Sequence, residues 1–219
     1  MTGRIEDSNR PDVTAQLDSL YEWEPSELDA GLRAAQARAV SIGALDIEGF
    51  RRWALGDLTD NRNRGLFAEW LVGQALEAVD EAEPRREWDA FDLAYGSIRI
   101  EVKASGRSQT WNPNESATPR FDIAPRRYSW VAVTDEWFEH DPPARLADVY
   151  VFCLHEPVPA TNENVLDPSS WKFWVIATQS LDDELGSQKT AGLSTLDRLT
   201  EPVEWPDIQD EVDRAIGSA

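Results

Sequence analysis

Sulfur is almost missing from this chain: its 219 residues include one cysteine, Cys153, and one methionine, Met1. A lone cysteine excludes an internal disulfide framework, and a cytoplasmic compartment is the default expectation. Histidine is nearly as scarce. His140 and His155 stand apart in sequence without neighbouring metal-ligand partners, so zinc sites and histidine-centred hydrolysis are poorly supplied. There is no Gly-X-Ser-X-Gly elbow for a serine hydrolase, no Gly-rich phosphate loop and no internal repeat. No apolar run is long enough to span a bilayer, so no membrane segment is expected, and the polar, acidic N-terminus lacks the apolar stretch of a signal peptide. Basic charge is the last deficit. Lys and Arg number 21 against 41 Asp and Glu, a formal net charge of −20. Nucleic-acid binding usually rides on a basic surface. An acidic surface instead suits a non-catalytic protein that imitates DNA or recruits a basic partner.

What is present points to a folded enzyme-sized domain. Hydrophobic residues make up 41% and aromatics 10%, enough for a sizeable core in one domain with appendages. The charge is unevenly spread. From Arg85 to Trp130 eight basic residues face six acids, a local balance of +2 that leaves −22 for the remainder. This is the only long window that is not strongly acidic.

Periodicity divides the chain into four parts. Residues 1–24 read as a mobile acidic tail. Residues 25–58 read as a helical cap, with Ser26 capping a first helix and a second carrying Ile47, Phe50, Trp53 and Leu55 up to Gly56. Residues 59–200 form the core, and 201–219 hold a terminal acidic helix. Within the core a long helix is predicted over 62–79. Glu69 lies in its apolar stripe, which is costly unless the acid is paired or binds a metal. Gly65 and Gly73 would let this helix approach a sheet closely. Phe121 to Pro125 predicts a strand, 130–133 a further strand or a connection, and 135–145 an acidic loop. The apolar run ending at Leu154 predicts a central strand buried on both faces, with Cys153 in the core. Residues 156–170 predict a loop, 171–177 another strand, 181–185 and 193–199 short helices, and 206–216 the terminal helix. The expected fold class is α/β, a mixed central sheet flanked by helices.

The chemistry concentrates in residues 89–111. Ile98, Ile100, Val102 and Ala104 alternate with Arg99, Glu101, Lys103 and Ser105, the pattern of a half-buried strand. Phe91, Leu93 and Tyr95 form a preceding strand, and Gly96–Ser97 turns between them. In one register Asp92 and Glu101 lie side by side. Two acids so placed repel each other, and a divalent cation relieves the repulsion. Hard oxygen ligands suit Mg²⁺, and a lysine alongside would hold or deprotonate an attacking water. The polar loop 106–119 supplies Gln109 as a helper. Trp111 in the same loop is read as a packing residue.

Asp92 followed by Glu101-Val102-Lys103 resembles the signature of the PD-(D/E)XK nuclease superfamily, an acid on one strand and acid-X-lysine on the next. Glu69 resembles the glutamate that the preceding helix often carries there, and Gln109 the extra glutamine of several branches. Phe91 stands where a proline usually precedes the first acid, which leaves Asp89 as a competing candidate. The resemblance covers roughly residues 60 to 180. It implies a restriction-endonuclease-like fold and a Mg²⁺- or Mn²⁺-dependent deoxyribonuclease. Asp92, Glu101 and Glu69 would hold the metal, Lys103 would activate water and Gln109 would assist. It further implies DNA as partner, a role in restriction, phage defence or DNA repair, and a homodimer or a basic partner protein that supplies DNA-binding surface.

Overall fold

The computed structural model describes residues 46–79, 85, 90–131 and 136–217. The predicted tail, the first cap helix, Asp89 and most of the 80–89 loop lie outside these residues.

Two helices open the described chain. Helix α1, Ile47–Leu55, buries none of its side chains. Helix α2, Asn61–Ala75, starts where Asp60 takes the N-cap, its carboxylate accepting from the backbone N–H groups of Arg62 at 2.9 Å and Asn63 at 3.4 Å. It stops four residues before the predicted end, with Leu76 as its C-cap.

Strands β1, Leu93–Tyr95, and β2, Ile98–Gly106, form the predicted hairpin, with Leu93 opposite Ile100 and Tyr95 opposite Ile98. Gly96 sits in the turn at φ +59°, a left-handed conformation that glycine adopts without a Cβ penalty. Strand β2 runs parallel to β6, Val149–His155, and β6 runs antiparallel to β7, Trp171–Ala177. The sheet order is β1-β2-β6-β7, with parallel and antiparallel pairs together. The fold is therefore mixed α/β.

Alternation along the central strands makes two cores. Ile100, Val102, Val149, Val151, Phe173 and Val175 face α2 and the last helix, Ile208–Gly217. Tyr150, Phe152, Leu154, Trp174 and Ile176 face the other way. That second layer holds β3, Arg120–Asp122, paired with β8, Thr190–Gly192, together with helices Thr178–Leu185 and Leu193–Leu199. A fully buried apolar side chain contributes about 1.5–3 kcal/mol, so these two layers dominate the stability. All of β6 is buried, as expected for a central strand.

Three expectations change. Strand β2 is not half-buried, because both of its faces are covered from Arg99 to Val102. A strand flanked by β1 and β6 and packed above and below has no solvent face there. Residues 135–145 are not a loop: Glu136–Ala144 is strand β5, paired with β4, Arg126–Val131. Its charges are tolerable because this two-stranded ribbon stands outside the main sheet. Trp130 opposite Trp137 (ring centres 5.5 Å apart) and the Arg127–Glu139 ion pair support the pairing. Third, the 156–170 stretch contains a short helix, Asn162–Leu166, closed by a capping box on Thr161. The predicted terminal helix is present, and Ile208 and Val212 bury it in the first core.

Candidate functional site

Strand pairing brings the two candidate acids together. The backbone N–H of Asp92 donates to the carbonyl of Ile100 at 3.0 Å, a contact just outside the β1–β2 ladder that begins at Leu93–Ile100, and it holds Asp92 beside the stretch of β2 that carries Glu101. Oδ2 of Asp92 in turn accepts from the backbone N–H of Val102 at 2.7 Å. A side-chain oxygen thus takes the ladder position that a carbonyl would occupy, and Asp92 is fixed by backbone on both sides.

Burial raises the pKa of Asp92 to about 7, and the charges of Glu101 and then Glu69 add to the effect; the Val102 N–H and Lys103 oppose it. Glu69 reaches this neighbourhood from the middle of α2. Three of the predicted carboxylates therefore share one electrostatic environment.

Cations pair with two of those acids, Glu101 and Glu69. Glu101 is almost fully enclosed, and its Oε1 accepts from Lys103 Nζ at 2.5 Å and from Arg126 Nη2 at 2.7 Å. Lys103 is in place because residues two apart on a strand point to the same face, about 7 Å apart along it. Arg126, at the start of β4, was not singled out in the sequence. The signal available was only the Arg-Arg doublet after Pro125. Glu69 pairs with Arg85 in a two-pronged contact, with Nη2 to Oε1 at 2.6 Å and Nε to Oε2.

The donor set fits a hard divalent cation, since carboxylate oxygens are its preferred ligands and such an ion would relieve the repulsion recorded in the Asp92 pKa. Among the described residues, no group of three or more His, Cys, Asp or Glu side chains is arranged to hold a metal ion. Glu101 and Glu69 are instead paired with Lys103, Arg126 and Arg85.

Gln109 does not touch Lys103. Its Nε2 donates to the Gly106 carbonyl at 2.8 Å, and its Oε1 accepts from Asn61 Nδ2 at 2.9 Å. It ties the loop after β2 to the start of α2. Arg64 completes this junction, donating to the Ser108 carbonyl at 3.0 Å and to Asn61 Oδ1 at 2.5 Å. The guanidinium lies so close to the end of β2 that a Cβ on Gly106 would stand 2.6 Å from its Cζ. Sequence reading missed Arg64 and Asn61, although Asn61-Arg62-Asn63-Arg64 opens the long helix. Trp111 is 77% exposed and packs in no core, contrary to expectation.

Beside α2 runs a cleft of about 450 Å³ lined by Asn61, Arg62, Gly65, Leu66, Glu69 and Arg85. It places Glu69 at a surface that a large substrate can reach. The cysteine and the two histidines are buried. Cys153 is wholly buried, and burial pushes its thiol pKa up, away from nucleophilic use. His155 packs against Trp171, with ring centres 5.1 Å apart, and burial lowers its pKa to about 4, so it is neutral. His140 lies between the ribbon strands, hydrogen-bonded to Ser129 at 2.9 Å. No helix among the described residues is long and apolar enough to cross a membrane. No protein-family model matches the chain, and no curated protein matches it with significance.

Proposed function

We propose that this protein is a metal-dependent DNA endonuclease of the PD-(D/E)XK type on a restriction-endonuclease-like fold. The observation that carries the reading is Asp92 held against β2 on either side of Glu101, with Lys103 two residues on and the charges of Glu101 and Glu69 felt at Asp92. A bound Mg²⁺ or Mn²⁺ would neutralise charge on the phosphate and lower the pKa of a water. Asp92 and Glu101 would hold that ion, with Glu69 as an additional ligand. Each has a carboxylate, and one of them carries a proton near neutral pH that an ion would displace.

Lys103 is the water-positioning group in this reading. Once Glu101 turns to an ion, the Nζ at 2.5 Å from it has hydrogen bonds to offer a water or a phosphate oxygen. Arg126, the other partner of Glu101, becomes available to phosphate in the same exchange. Gln109 acts as a positioning residue for the junction of α2 and β2 and makes no contact with Lys103. A defence or repair role follows from the family resemblance alone, as does a second copy of the chain to cut the second strand.

The test is cleavage of linear, circular and single-stranded DNA with Mg²⁺ or Mn²⁺, wild type beside Lys103→Ala. Metal-dependent cutting by the wild type and a loss of at least about 100-fold in the variant are expected, the scale of a removed acid–base or electrostatic group. Full activity in Lys103→Ala would sink the mechanism. The net charge of −20 favours a second reading, an acidic protein that binds a basic partner. That protein would capture its partner equally well after Asp92→Ala, whereas the nuclease would lose Mg²⁺ binding.

A further inference from the structure

In so acidic a chain, cations without acidic partners stand out. Among the described residues, Arg62, Arg64, Arg107, Arg120 and Lys189 join no ion pair within 4 Å. Arg62 and Arg64 stand in the first turn of α2, Arg107 follows the end of β2 and Arg120 opens β3. Two of them, Arg64 and Arg120, line a cavity of about 300 Å³ with Asn61, Ser105, Gln109 and Thr118, and no carboxylate is among its lining residues.

Arg64 gives this cavity its character. Its residue is 2% exposed, yet it hydrogen-bonds only neutral acceptors, the Ser108 carbonyl and Asn61 Oδ1. Burial lowers the Arg64 pKa, and the charge of Asp60, whose carboxylate caps the backbone of α2, opposes the shift. A buried guanidinium is expensive unless an anion repays its desolvation. The Asn61–Gln109 hydrogen bond and the bond from Gln109 to the Gly106 carbonyl brace the wall around it. Hydroxyls of Ser105 and Thr118 add donors without charge.

We infer that this cavity binds a phosphate group of the nucleic acid, a short step along the strand from the one held at Lys103. This deepens the nuclease reading and rests on it for the identity of the polymer. Ser105 follows Lys103 by two residues on the same face of β2, about 7 Å along the strand. One DNA strand advances about 3.4 Å per nucleotide, so the two positions are about two nucleotides apart. Arginine suits the task because its planar fork meets two phosphate oxygens at once. The cavity would then set which phosphate reaches Lys103.

The test is equilibrium binding of labelled duplex oligonucleotides in EDTA, where no cutting intervenes, over a series of salt concentrations. Arg120 is exposed on β3, so Arg120→Ala leaves the core intact. Arg64→Gln probes the buried partner, with its urea midpoint measured alongside, and Lys189→Ala is the control. The expected result is a loss of about tenfold in affinity for Arg120→Ala and a log–log salt slope shallower by about one, with Lys189→Ala unchanged. Inorganic phosphate at constant ionic strength should weaken wild-type binding and leave Arg120→Ala unmoved. Tighter binding of 5′-phosphorylated than 5′-hydroxyl DNA, in wild type alone, assigns the cavity to a terminal phosphate; equal binding assigns it to an internal one. Unchanged affinity and slope in both arginine variants overturn the inference, as does a wild type that binds no DNA. Cleavage is scored separately. A protein that cuts DNA while Arg120→Ala binds normally keeps the nuclease reading and loses this one. A protein that binds through Arg120 but cuts with no metal does the reverse.

Discussion

Burial and the charges of Glu101 and Glu69 raise Asp92 from the ordinary 3.8 to about 7, so near neutral pH this side chain is close to half protonated. The unfolded chain releases that proton near its ordinary pKa, while the folded protein keeps it until about 7. Between those values the folded state binds more protons, so this group's contribution makes stability fall as pH rises, and the fall levels off above about 7. Thermal unfolding of Asp92→Asn across this window should show that slope removed, with the variant at least as stable as wild type at pH 8. A metal displaces the same proton. Mg²⁺ affinity by calorimetry should rise about tenfold per pH unit below 7 and flatten above it; a flat profile throughout would place the ion elsewhere. Arg126 competes for Glu101 in the absence of an ion. Arg126→Ala should bind Mg²⁺ several-fold more tightly, and its stability deficit should shrink as Mg²⁺ is added, because the ion restores a counter-charge to Glu101.

At the scale of elements, the two glycines of α2 separate two functions. Both were expected to bring the helix close to the sheet. Gly73 instead makes room for the chain just past the helix: a Cβ there would lie 2.3 Å from Val79 Cγ2, while the sheet, at Leu93 Cδ2, stands at an ordinary 3.4 Å. Gly65 faces open space beside the cleft that contains Glu69. Alanine at either position gains up to about 1 kcal/mol of helix propensity, but overpacking costs about 1–3 kcal/mol. Urea unfolding should therefore find Gly65→Ala modestly stabilised and Gly73→Ala destabilised. The opposite ranking would mean that the contact with Val79 relaxes freely. Helix spacing alone gave both glycines the same face, and only the packed chain distinguishes them. The β4–β5 ribbon makes a similar point. Pro142, Pro143 and the acids of this stretch read as a loop, because the features that pair it, Trp130 with Trp137 and Ser129 with His140, are cross-strand.

Across the whole molecule, Arg145 joins parts that are distant in sequence. Its side chain is fully buried and donates to the carbonyls of Ile123 at 2.9 Å, Gly186 at 2.9 Å and Gln188 at 3.0 Å, and it also pairs with Asp182. It thereby ties the segment after β3 to the end of the Thr178–Leu185 helix and the approach to β8. Arg145→Leu would strand three carbonyls and one carboxylate. The expected loss is about 3–5 kcal/mol by denaturant unfolding, the scale of breaking a buried charged network. A loss below about 1 kcal/mol would show that water replaces these bonds. The charge distribution also belongs to this scale. The −20 total describes the surface at a distance, while the cavity lined by Arg64 and Arg120 has no carboxylate among its lining residues.

The sequence by itself determined the α/β class, the β1–β2 hairpin, the buried central strand, most helix positions, and the gathering of Asp92, Glu101 and Lys103. These follow from periods of two and 3.6 and from a glycine turn, all local along the chain. Tertiary structure alone decided the rest. It buried β2 on both faces, because β6 arrives in parallel from nearly 50 residues away. It set Arg126 on Glu101, turned Gln109 toward Asn61, left Trp111 in solvent and enclosed Arg64 without an acid. Each of those depends on which distant segment fills the space beside a residue, and no spacing within one element records that.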